Sequence, residues 1–360
     1  MTKWLIIAGA LVMFVVGFVF LRGPIPHIAI AAEELFTVGP VKVTNTMFTS
    51  WVTVILLIAV VIFATRKEWT LVPSGFQNFL EAVIEGFYNV VAGVAGDTNA
   101  RRFFPVVATI FFFIAVSNWF SLTPLFNSTG FAKESEHGVV AEGTTIGPID
   151  VVYVPFSSPG KLSTESIEED DPQAHEKATA AEEEGKVVAE LIPLFRGINT
   201  DLNTPLAIAI ISFIAVETWG IRSLGLLTYG KKFFNFGNLF RGLFSFNFGM
   251  FFTGIIDGFV GFLELISELV RLLSFTFRLF GNMFAGEVVI LMFTFLTPLL
   301  ITLPFYGLEL FVGVIQAFIF AMLTLVFAVM AVSHHGDEEH EPDRSHQGHG
   351  AASVTSEPAH

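Results

Sequence analysis

Between Phe251 and Leu300 the chain runs FFTGIIDGFVGFLELISELVRLLSFTFRLFGNMFAGEVVILMFTFLTPLL, an apolar stretch with ionisable side chains where lipid would be. Glu264, Glu268, Arg271, Arg278 and Asn282 are spaced four, three, seven and four apart. On a 3.6-residue helix they form one polar stripe, with Ser267 and Ser274 beside it. An arginine at the centre of a bilayer costs roughly 2.5 to 3.5 kcal/mol on insertion scales, so it requires a cavity, water or a carboxylate. Arg278 therefore has two readings. It pairs with a glutamate of its own chain and pins one helix to another, or it serves a function at membrane depth.

At about 1.5 Å rise per residue, a helix from residue 255 to 295 is roughly 60 Å long, twice the hydrocarbon thickness. No Pro-Gly or Asn-Gly turn divides it into two perpendicular spans. Such a helix must lie more steeply than the usual tilt of about 0 to 40°, and it then presents its stripe sideways to a neighbour.

With 53% hydrophobic residues in 360 and apolar runs of about 18 residues or more, the composition is that of a polytopic membrane protein. The absence of cysteine removes disulfides, thiol catalysis and Cys-based metal sites. The formal charge of -14 sits mostly in one loop and the tail, and no nucleic-acid partner is expected. No P-loop, nucleotide fingerprint, nucleophile with its base or metal-ligand helix motif is present, so neither cofactor nor metal is expected and bond-making chemistry has no candidate.

Residues 1–31 open with an apolar run from Trp4 to Leu21 behind Lys3, and Ala29-Ile30-Ala31 fits a small-residue cleavage pattern. A signal peptide and a retained extra span both remain open. Residues 32–126 hold two spans, Met47 to Thr65 ending at Arg66-Lys67, and Phe103 to Phe120 behind Arg101-Arg102; the basic pairs mark the inner face. Between them Phe76, Phe79, Leu80, Val83, Ile84, Phe87, Val90, Val91 and Val94 alternate by three and four. That spacing predicts an amphipathic helix on the inner surface. Residues 127–200, with Glu168-Glu169-Asp170-Asp171 and Glu182-Glu183-Glu184, read as an acidic external loop, either a cation-gathering funnel or a solvated insertion. Residues 201–332 carry the remaining spans, Leu206 to Ile221, the long stretch above and Leu303 to Val332. Glu217 is expected to snorkel or to pair with Arg222. Residues 333–360 form a His-rich tail, read as disordered, solvated and cytoplasmic.

The run Arg278-Leu-Phe-Gly-Asn-Met-Phe-Ala-Gly-Glu287 resembles the signature of the ATP synthase A chain family, subunit a of F-type ATP synthases. A second run, Gln316-Ala-Phe-Ile-Phe-Ala-Met-Leu-Thr-Leu-Val, resembles the last helix of that family, and Val72-Pro73-Ser74-Gly75-Phe76-Gln77 the start of its surface helix. The resemblance implies an all-α, polytopic fold of about five core transmembrane helices plus the N-terminal segment, with a long, steeply tilted C-terminal pair and one amphipathic surface helix. It implies a non-enzymatic stator subunit that carries protons, with sodium the alternative ion. Its partners are then a rotor ring of c subunits, peripheral-stalk b subunits and membrane lipid, in a bacterial inner membrane. Arg278 would face the rotor carboxylate and separate two half-channels. Glu287 and Glu309 would relay protons on the outer side, where the family often pairs an acid with a histidine. Glu264 and Ser267 match exit positions, Glu268 is an unassigned neighbour, and Asn282 and Gln316 would hydrogen-bond near Arg278. Asp201, Asn203 and Asn118 match the outer mouth, although Ser121 stands where the family carries an acid. A proton- or sodium-coupled secondary transporter is the rival from another class, without support from any internal repeat. A non-conducting assembly scaffold is the third.

Overall fold

The computed structural model describes residues 28–66, 75–127, 129–146, 149–153, 166–167, 174–183, 186–233, 241, 248–296 and 301–333, with a few isolated positions before residue 16. The first-span or leader reading of residues 1–31 falls largely outside these residues, as does the histidine tail from residue 334. Five described helices are long and apolar enough to cross a membrane, as the hydropathy pattern predicts.

A short hairpin, β1 (Glu34–Val38) and β2 (Val41–Thr44), leads into α1 (Asn45–Thr65). Thr44 caps that helix, its hydroxyl accepting from the Met47 N–H at 3.4 Å. The buried side chains of α1 are all polar and all in its N-terminal half, Asn45, Thr46, Thr49 and Thr53, whereas apolar Ile55, Val61 and Phe63 are exposed. The helix is thus anchored at one end and free to meet lipid along the rest.

The amphipathic segment and the second span form one element, α2 (Phe76–Ser121), bent at Gly96, whose φ of 72° and ψ of 155° are not helical. Glycine alone enters that conformation without a steric penalty from Cβ. Phe87, Val91 and Ala95 of the first rod are buried, while Phe76, Phe79, Ile84, Val90 and Val94 stay exposed. The apolar stripe read from the sequence is therefore wider than the surface the protein covers.

The stretch read as an acidic loop contains strands. Its described residues form an antiparallel sheet around β3 (Gly130–Ile146), which pairs with β4 (Ile149–Tyr153), β5 (Ser166–Ile167) and β6 (Val187–Pro193); α3 (Ala174–Glu183) precedes β6. Ala141 to Thr145, within the stretch read as a loop, lie in β3 with Glu142 opposite Tyr153. Net acidity conceals the strands because backbone pairing needs only a few β-branched positions to cover, here Val140 and Val188, both buried. The acidic run Glu168 to Asp171 lies outside the described residues.

A 3₁₀ turn, Ile198–Thr200, returns the chain to α4 (Asn203–Leu224), which ends at Gly225 with φ 82°. Then follow α5 (Leu226–Phe233), α6 (Phe248–Leu296) and α7 (Thr302–Ser333). The 49 residues of α6 are about 73 Å of continuous helix. Side-chain packing against α2 and α4 holds α7 in the centre: Ala317, Ala321 and Ala328 are fully buried, and small residues let helix backbones approach closely in a membrane. Aromatic pairs fill the gaps, with Phe103 on Trp219 at 4.6 Å, Phe87 on Phe111 at 4.5 Å and Phe275 on Phe320 at 4.9 Å.

Candidate proton-handling site

Three polar zones lie along α6. The first zone is a cavity of about 70 Å³ walled by the end of α2 and the turn after it, the 3₁₀ turn, α6 and α7. Glu287 of α6 and Glu309 of α7 both line it, as do Asn118, Asn127, Asn199 and Tyr306. By this measure a water needs roughly 10–15 Å³, so several fit among these polar walls. Asn127 donates its amide to Glu287 Oε1 at 2.7 Å. Asn199 donates to Asn118 Oδ1 at 2.7 Å and to Ser117 Oγ at 3.0 Å, and Asn118 in turn donates to the Gly313 carbonyl at 3.1 Å. This chain ties α2, the 3₁₀ turn and α7 together beneath the cavity. Gly313 permits the contact, since a Cβ there would lie 3.0 Å from the Asn118 Cβ.

Asp201 and Asn203 do not line this cavity. Asp201 is buried and accepts from Thr46 Oγ1 at 2.9 Å and from the Asn203 N–H at 3.3 Å, so it joins α1 to the start of α4. Asn203 is exposed.

In the central zone Arg278 is exposed. Its guanidinium approaches Ser274 Oγ at 3.5 Å and lies 5.9 Å from the Phe275 ring. Among the described residues no carboxylate forms an ion pair with it. Around it Leu269, Val270, Leu273 and Phe277 are exposed apolar side chains, so the cation stands in a greasy face. Gln316 is buried, and its amide donates to the Arg278 carbonyl at 2.9 Å. It holds the backbone of Arg278 and leaves the guanidinium free to face outward. Asn282, one turn on, is exposed as well.

The third zone splits the stripe. Glu268 is 3% exposed and pairs with Arg271 at 2.7 Å, and the Arg271 guanidinium lies 3.8 Å over the Phe327 ring of α7. Glu264 is half-buried, and Ser267 is exposed. Glu217 lies beside Tyr229 of α5. Burial first, and the neighbouring Glu217 carboxylate next, push the Tyr229 phenol well above its ordinary range, so it stays protonated.

Of the polar residues lining the cavity, the sequence pattern marks Asn118, Glu287 and Glu309 but not Asn127, Asn199 and Tyr306. Tyr306 was within reach, being three residues before Glu309 on the same helical face. Asn127 and Asn199 sit in turns, where no periodicity marks a direction. Among the described residues no cluster of three acids or histidines is placed to hold a metal.

A sequence model of the family described as ATP synthase A chain matches residues 47–329. Among curated relatives, "ATP synthase subunit a" of Moorella thermoacetica is 27% identical over 304 residues, 84% of this chain and 97% of that one. The proteins of the same description from Trichlorobacter lovleyi and Gloeobacter violaceus are 27% and 26% identical. They align over 79% and 86% of this chain, and over 85% and 94% of their own lengths.

Proposed function

This chain belongs to the ATP synthase A chain family, and we propose that it is the proton-translocating stator subunit of the membrane sector, opposing its Arg278 to the carboxylates of a rotor ring of c subunits. As a multi-pass membrane subunit of the ATP synthase complex, it is not an enzyme by itself. The finer reading includes two half-channels, peripheral-stalk b subunits as further partners and a bacterial inner membrane as the location.

The observation that carries it is the state of Arg278. A guanidinium exposed in an apolar helix face, with no carboxylate among the described residues in an ion pair with it, needs its counter-charge from elsewhere. A rotor carboxylate supplies one. At about 4 Å and an effective dielectric of about 20 the pair attracts by about 4 kcal/mol, which favours the ionised acid and forces its proton off. The same cation blocks a short circuit, because a guanidinium does not deprotonate and repels a hydrated proton.

Protons would enter through the outer cavity by Glu287 and Glu309, load the rotor carboxylate, and leave after nearly a full turn on the side of Glu264 and Ser267. The length of α6 supports this, since a helix of about 73 Å fits a bilayer only when strongly tilted and then runs across several rotor subunits. The drive is about 2.3 kcal/mol per charge per 100 mV.

The test is Arg278→Ala in the complete complex in inverted vesicles. ATP-driven acidification should stop while passive proton leak rises, and Arg278→Lys should also fail because lysine loses its charge more readily on burial. Vesicles with Arg278→Ala that still acidify on ATP addition would refute the assignment.

A further inference from the structure

Among the described residues Asn127 is the one non-glycine with positive φ, 56°. It stands where the chain leaves the turn after α2 for the external sheet, and its N–H donates to the Phe195 carbonyl at 3.2 Å. Asparagine tolerates the left-handed region better than most residues, so a backbone role would by itself account for its presence. The side chain does something separate. Its amide crosses to α6 and donates to Glu287 Oε1 at 2.7 Å.

The two oxygens of Glu287 thereby become different. Oε1 is committed as an acceptor. Oε2 is buried, has no hydrogen-bond partner among the described residues, and lies beside Gly197, where a Cβ would stand 3.6 Å away. An amide N–H2 can only donate, so it occupies Oε1 whether the acid is ionised or protonated. The proton is then carried on Oε2. The titratable groups lining the same cavity are Glu309 and Tyr306, both of α7; the turn after α2 and the 3₁₀ turn contribute neutral polar groups.

We propose that Asn127 is a positioning residue for proton entry, holding Glu287 through Oε1 so that Oε2 alone is left to take up and pass on the proton. This rests on the reading of Glu287 as part of the proton path.

Two substitutions separate the amide from the backbone, because aspartate and glycine both accept positive φ. Asn127→Asp keeps the shape but can donate to Glu287 only while a proton is shared between the two acids. Asn127→Gly removes the side chain. The assay is ATP synthesis by the complete complex in liposomes, driven by an imposed potential, with pH varied on the outer face and rates expressed per assembled complex. Asn127→Asp should lose activity several-fold on the alkaline side and recover it on the acid side, moving the optimum down by about one pH unit or more. Asn127→Gly should be slow, by about tenfold, across the range. Wild-type rates and pH profiles for both variants overturn the proposal. Glu287→Gln run alongside tells the two readings apart: if it is slow while both Asn127 variants are normal, only the positioning role fails, and if it is also normal, Glu287 leaves the proton path and the proposal goes with it.

Discussion

The carboxylate of Glu309 occupies the space that a Cβ on Gly286 would fill. Gly286 thus holds open the seat in which the acid of α7 comes to rest against α6, one residue from Glu287. A side chain there would meet only the far end of a flexible glutamate, so the substitution moves the carboxylate without breaking the helix contact.

Gly286→Ala is accordingly expected to leave the subunit in the membrane at normal amounts while slowing ATP-driven proton pumping several-fold. Immunoblots of membranes and acidification of inverted vesicles read the two quantities separately. A loss of subunit matching the loss of pumping would show that the glycine serves packing instead.

Glu287 and Glu309 line one cavity with several waters' worth of space. Each carboxyl can load and release a proton in turn, and an amide cannot. Glu287→Gln and Glu309→Gln should each slow proton entry, and the double variant should be slower than either. Unchanged ATP-driven flux in the double variant would remove both from the path.

Removing one member of a buried ion pair costs about 3–5 kcal/mol, whereas replacing both with apolar groups is often neutral. Glu268, 3% exposed, has Arg271 at 2.7 Å. Arg271→Leu should therefore deplete the subunit or lower its melting temperature in detergent, and adding Glu268→Leu should restore much of the loss. A double variant as unstable as Arg271→Leu would mean that the Phe327 contact of Arg271 matters more than the pair.

Arg196 is 4% exposed, and its guanidinium donates to the backbone carbonyls of Ala31, at 2.6 Å, and Ala29. Cleavage after Ala31 would take both acceptors away and strand a buried cation, at a cost of several kcal/mol. Ala29 to Ala31 are expected to remain in the mature subunit, whatever happens upstream of them. Intact-mass measurement of the subunit from purified complex checks this, and a chain beginning at Ala32 contradicts it.

Local periodicity and hydropathy were enough to read five spans, the uncut length of α6 and the placement of Arg278 within it, because each depends on residues a few positions apart. The resemblance at Arg278 to Glu287 and at Gln316 added the family. What the sequence could not decide was which stretch of a helix a neighbour covers. Arg271 and Arg278, two turns apart on nominally one face, part company: Arg271 lies against Phe327 and Glu268, while Arg278 faces outward. The stripe is a property of one helix, and its division is a property of how α7 lies across it. The cavity between α6 and α7 is likewise tertiary. Glu287 and Glu309 belong to different helices, and Asn127 reaches them from a turn whose direction no period encodes. The acidic stretch hid its strands for the same reason, since pairing across a sheet depends on partners such as Gly130 and Pro193 that lie far apart in the chain.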